Sequence, residues 1–131
     1  AAPASVREAL RSLRGRVLRR ETFVDDNSAR SQMPHAVAEF SYLIAELQPP
    51  RATADGVYAA FLRTQRDTTW DRGNDPMTRI AVHNHTRPDG TVDPYGRRQS
   101  TTSFACPRGW RHRADRPPDG YLATRECLSY A

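Results

Sequence analysis

The side chains able to do chemistry are few, and their spacing limits them. His83-Asn84-His85 sets two imidazoles at i and i+2, which on a strand share one face. Two ligands are half a metal site. Zinc takes three or four, no Cys, Asp or Glu is spaced to complete the set, and His35 and His112 lie far along the chain. Nor do three adjacent letters make the dispersed His, Asn and His of a ββα nuclease motif. The expectation is an exposed strand face, with no metal and no cofactor. Asn84-His85-Thr86 is also a glycosylation sequon, a weak motif that depends on compartment.

Cys106 and Cys127 fall on the last two predicted strands and would pair only if those strands were neighbours in matching register. Neither has an adjacent His or a thiolate-stabilising run, so buried free thiols are expected rather than a nucleophile. Glu39 and Glu46 can be read as paired carboxylates, but nothing fixes their separation, and solvent-facing charges are the plainer reading. Gly-x-Ser-x-Gly, Walker, Gly-x-Gly-x-x-Gly and His-Glu-x-x-His patterns are all missing. The chain is therefore not expected to be an enzyme. Trp70 reads as a core anchor, with stacking on Arg72 as the alternative. Trp110 stands amid Arg108, Arg111 and Arg113. With Arg97 and Arg98 these residues form the expected interaction surface, a packed loop before Pro117-Pro118 being the other reading.

All 20 cationic side chains are arginine, against 15 carboxylates, for a net charge of +5. That balance permits an acidic partner. No single-sign run of five or more occurs, so specific nucleic-acid binding is not expected. Of the 131 residues 37% are apolar, and no stretch nears the roughly 18 that a membrane helix needs. Direct membrane insertion is therefore not expected. An apolar leader core is missing near Ala1, so no signal peptide is expected in this segment. Two cysteines do not make a disulfide scaffold. The length fits one domain, read as a single β-rich segment over 1–131. A start at Ala1 without Met, and an end at Ala131 directly after a strand-like run, suit a segment excised from a larger protein.

The elements that position these residues are mostly strands. Ser5 and Glu8 form a capping box before a short helix over Ala4–Arg14, which Gly15 stops. Arg16–Val24 reads as a strand and Asp25–Pro34 as a polar turn region. Ala36–Leu47 fits a helical or a strand face equally well, and Pro49-Pro50 ends it either way. Val57–Arg63 and Thr68–Asp71 read as two short strands around a connection, and Gly73–Pro76 as a turn. Arg79–Thr86 and Arg98–Cys106 are strands separated by turns at Pro88-Asp89-Gly90 and Asp93-Pro94-Tyr95-Gly96. Arg108–Gly120 is a basic loop, and Tyr121–Tyr130 a last strand. Strands joined by turns without intervening helices predict a mainly β chain, an antiparallel sheet with a short N-terminal helix.

The order of segments carries a resemblance. Leu13-Arg14-Gly15-Arg16-Val17-Leu18-Arg19-Arg20-Glu21 resembles the opening of the middle/C-terminal segment of TcdB-type insecticidal toxin proteins. These are the TcB-like components of Tc toxin complexes, relatives of SpvB and of RHS/YD-repeat proteins. Further matches follow in order: Pro34-His35-Ala36-Val37-Ala38-Glu39, the stretch Trp70–Arg79 around Asp75-Pro76, Asp93-Pro94-Tyr95-Gly96, Pro107-Arg108-Gly109 and Tyr121-Leu122-Ala123-Thr124. The likeness covers roughly residues 10–131. Thr86–Val92 departs from it by being longer than the family's link, which bears on the hairpin register there.

The resemblance implies a structural role and transfers no catalytic residue. In such toxins this segment belongs to a β-shell, a cocoon that TcB and TcC build around a toxic cargo, while a propeller elsewhere in TcB docks on the TcA pore. It implies partners in the same toxin and a TcC-like protein, and a secreted or extracellular location as part of a toxin complex. It resolves Ala36–Leu47 towards strand. Arg19, Arg97, Arg98 and Arg125 would then face solvent, a lumen or a neighbouring wall. The alternative function is an independent basic β-rich binding domain for an acidic partner. A small toxin enzyme relying on His83 and His85 is a third.

Overall fold

A computed structural model describes residues 4–70 and 76–106, and the backbone of 122–127. A short helix, α1 (Ala4–Arg11), precedes six strands: β1 (Arg19–Thr22), β2 (Ala36–Gln48), β3 (Val57–Thr69), β4 (Met77–Asn84), β5 (Ser100–Ala105) and β6 (Leu122–Cys127). They form one antiparallel sheet in chain order, β1-β2-β3-β4-β5-β6. Each strand turns back beside its predecessor, so the fold class follows the local turn chemistry.

The ambiguous segment is strand throughout β2, and Pro49-Pro50 closes it. The two expected strands around a connection are instead the single strand β3. The polar run Thr64-Gln65-Arg66-Asp67 hides it in the sequence. In the sheet β3 is central, paired with β2 and β4. Its polar side chains are used there: Thr64 is buried, Arg66 pairs with Glu39, and Gln65 Nε2 donates to Asp67 Oδ2 at 3.0 Å. Cross-strand partners override the local polarity. A register shift between Ser41 and Tyr42 lets β2 and β3 continue past Arg63, as a bulge does.

The expected strand Arg16–Val24 shortens to β1. Its flanks Val17, Leu18, Phe23 and Val24 are all exposed, Leu18 to 60%. The helix starts at Ala4, one residue ahead of the expected cap Ser5. The Glu8 carboxylate accepts from Gly56 N at 3.1 Å, tying α1 to the start of β3. Gly15, at φ +76°, ends the turn after α1 as expected, since glycine enters the left-handed region without a Cβ penalty.

Among the described residues the buried apolar side chains are Val37, Ala38, Ala45, Ala60, Pro76, Ile80 and Cys106. Three are alanines, so only Val37 and Ile80 approach the ~1.5–3 kcal/mol that burying a large aliphatic side chain contributes. Six polar groups are buried as well: Thr64, Thr78, His83, His85, Asp93 and Ser100. The described core is thin and nearly half polar. Arg19, Glu39, Arg66, Ile80 and Phe104 stand in one cross-strand row, with Ile80 only 1% exposed within it.

Cys106 is a buried free thiol, as expected. β5 and β6 are indeed neighbours, but Cys127 faces Ser100 at the far end of β5. Six residues at about 3.3 Å each separate the two cysteines by roughly 20 Å along the strands, well beyond the ~7 Å Cα limit for a disulfide. Burial pushes the Cys106 thiol pKa up, against the opposing pull of Arg66, so the thiolate a nucleophile needs is disfavoured.

Candidate functional site

The most organised chemistry lies where β4 ends and the chain loops back to β5. Pro88-Asp89-Gly90 closes a three-residue hairpin loop. Gly90 N donates to Arg87 O at 2.9 Å, Arg87 N donates to Thr91 O at 2.8 Å, and Gly90 has φ +84°. A turn followed by a left-handed glycine is a favoured three-residue connection. Thr86 and Val92 form a bridge across it, so the longer link is absorbed as a small hairpin of its own.

Asp93-Pro94-Tyr95-Gly96 is a turn, as expected, and it is built on Asp93. That carboxylate is 1% exposed. Its Oδ1 accepts from Tyr95 N at 2.8 Å, and its Oδ2 from Arg87 Nη2 at 3.1 Å and Arg97 Nε at 3.0 Å. Burial alone would raise its pKa. The Tyr95 N–H and the two guanidiniums outweigh burial and hold it below the usual value. Motif and spacing do not single out Asp93, although arginines at −6 and +4 are a usable signal for its burial.

His83 and His85 are 8% and 3% exposed, which corrects the exposed strand face expected of them. His83 Nδ1 meets Thr101 Oγ1 at 3.0 Å, directly across the ladder. His85 stacks on Phe61, with ring centroids 5.4 Å apart and planes 21° from parallel. Its Nδ1 is buried without a hydrogen-bond partner. Burial first, then the nearby Arg98, lowers both imidazole pKa values. A hydroxyl against an imidazole is the geometry of an activated nucleophile, but His83 and Thr101 line neither groove described below. Among the described residues no three His, Cys, Asp or Glu side chains gather to hold a metal.

Beside His85 runs a groove of about 470 Å³, lined by Ser12, Arg16, Phe61, His85, Tyr95 and Arg98 among others. Gly96 also lines it, pressed so close to Phe61 that a Cβ would meet the ring at 2.8 Å, and its φ is +73°. Tyr95 is 82% exposed, with the Arg97 guanidinium 5.6 Å from its ring centre.

A second groove, of about 590 Å³, lies over the Arg19–Glu39–Arg66 row. Glu39 accepts from Arg19 Nη1 at 2.6 Å and pairs with Arg66. Glu46 accepts from Tyr58 Oη at 3.1 Å. Seven residues apart on one strand, Glu39 and Glu46 are separated by roughly 23 Å, so the paired-carboxylate reading fails and Glu39 is a neutralised ion-pair centre.

Of the expected interaction surface, Arg97 is engaged internally on Asp93, and Arg98 opens to the first groove. Arg97 and Arg98 precede β5 rather than lying on it. Arg108, Trp110, Arg111 and Arg113 lie outside the described residues, as do the Gly73 turn, the basic loop 108–120 and the Trp70 contact with Arg72. Trp70 itself is half-buried, and its backbone N–H donates to His35 O at 2.9 Å. Among the described residues no helix is long and apolar enough to cross a membrane.

A sequential antiparallel sheet with a thin core and an internally braced loop is a sheet module. The chain belongs to the family described as the insecticide toxin TcdB middle/C-terminal region, whose model matches residues 8–127. Solved structures share the fold. A TcdB2-TccC3-TEV structure matches over 90% of this chain at 22% identity and TM-score 0.69. TcdB2-TccC3 matches over 78% at 22% identity and TM-score 0.59. A Photorhabdus luminescens Tc holotoxin pore matches over 80% at 23% identity and TM-score 0.59. The chain spans 5% of the length of each of those chains. No curated protein matches.

Proposed function

We propose that the chain is a non-catalytic structural module of a TcB-like toxin protein, a piece of β-shell wall that helps enclose a toxic cargo. Its partners are neighbouring parts of the same toxin and a TcC-like protein, in a complex that works outside the producing cell. Family membership supports the toxin context. The observation that carries the structural role is the mismatch between sheet and core. Strands β1 to β5 bury only two sizeable aliphatic side chains, and the flanks of edge strand β1 leave Val17, Leu18, Phe23 and Val24 exposed. A sheet edge of this kind calls for a neighbour, and a wall has one.

The test is a far-UV circular dichroism melt of the isolated chain at two protein concentrations. A weak or concentration-dependent β signal is expected. A cooperative melt independent of concentration would mark an autonomous domain and would favour the independent binding domain instead.

A further inference from the structure

We propose that the groove between the turn after α1, strand β3 and the loop before β5 is a docking site for a carboxylate-bearing peptide segment, held by Arg16 and Arg98. The inference stands apart from the wall reading, since it concerns what this groove recognises. Among the described residues two guanidiniums line it and no carboxylate does. Among the described residues neither Arg16 nor Arg98 makes an ion pair; the Arg16 guanidinium lies 6.0 Å from the centre of the Tyr42 ring. A guanidinium fork is built to bind a carboxylate through two parallel hydrogen bonds.

His85, 3% exposed and stacked on Phe61, gives the groove an aromatic wall. Exposed Tyr95 at the rim supplies apolar surface for the stem of a glutamate. The groove's volume of about 470 Å³ suits a side chain or two. It does not suit a strand of nucleic acid, which needs a charged track with successive stacking aromatics.

The test measures fluorescence anisotropy of a fluorescein-labelled peptide with three consecutive glutamates, titrated with the full protein. Its glutamine counterpart serves as control. Saturable binding of the glutamate peptide is expected, weakening as salt is raised. R98Q and R16Q should each weaken it about tenfold, the loss of one charge-assisted hydrogen bond. R98K should recover part of that affinity, and R79Q, on exposed β4 surface, should leave it unchanged. Equal binding of the glutamine peptide would overturn the proposal. So would wild-type affinity in both folded R16Q and R98Q. Acetate displacing the peptide at the peptide's own concentration would make this a free-anion site, and tighter binding of a ten-residue oligothymidylate would make it a nucleic-acid site; either result overturns the peptide assignment.

Discussion

Replacing Gly96 with alanine tests the packing of the loop on the sheet. Two separate penalties act there. The backbone sits at φ +73°, and an L-residue in the left-handed region costs roughly 1–2 kcal/mol. The new methyl would also meet Phe61 Cε1 at 2.8 Å and Cδ1 at 2.9 Å, closer than side-chain carbons approach. Overpacking of that kind costs about 1–3 kcal/mol, so G96A should lose about 2–5 kcal/mol. Gly90 separates the two contributions. It has φ +84°, and a methyl there would meet nothing within 4 Å, so G90A should lose only the backbone part, roughly 1–2 kcal/mol. Urea midpoints at one fixed protein concentration, high enough for the sheet to form, with unchanged m-value, measure both. The cycle closes with Phe61→Ala: without the ring, G96A should cost no more than G90A. Equal costs of G96A and G90A with Phe61 present would refute the account, because the loop would then not be seated on that ring.

Two further outcomes follow from charge and burial. The imidazoles of His83 and His85 have folded pKa values below their unfolded value near 6.5, so below that pH the unfolded chain binds more protons. Stability is then fully present above about pH 6.5 and falls as pH drops towards the folded values; urea midpoints across pH 7.5 to 5.5 should decline, and H85Q should flatten the decline. Cys106, buried with a raised thiol pKa, should react with a thiol reagent in a Cys127→Ser background only as fast as the chain opens. Labelling at the rate of a free peptide thiol would contradict its burial.

Much of the fold is legible in the sequence because turns announce themselves. Pro49-Pro50, Pro88-Asp89-Gly90 and Asp93-Pro94-Tyr95-Gly96 all mark reversals that the structure contains, and the strands between them pair in chain order. Strand length is less legible. The polar stretch Thr64–Asp67 divides β3 on the page, but polarity marks a loop only when no partner strand consumes it. β1 looks longer than it is because Val17, Leu18, Phe23 and Val24 have the character of strand core, yet they are exposed. The hydrophobicity of that segment faces outward rather than into the sheet's own core.

The candidate site is hard to read for a related reason. Alternation along β4 correctly puts His83 across from the Ile80 and Val82 face, but the polar side is not the wet side. In this sheet both sides are partly covered, and burial follows what packs against each position. Phe61 closes over His85, and the hydroxyl of Thr101 meets His83. Asp93 is drawn inward because two arginines and a backbone N–H replace its water. A core assembled from such groups depends on every polar partner being present. That dependence ties the loop before β5 to the arginines on Asp93, and among the described residues His85 Nδ1 is the buried imidazole nitrogen left without a hydrogen-bond partner.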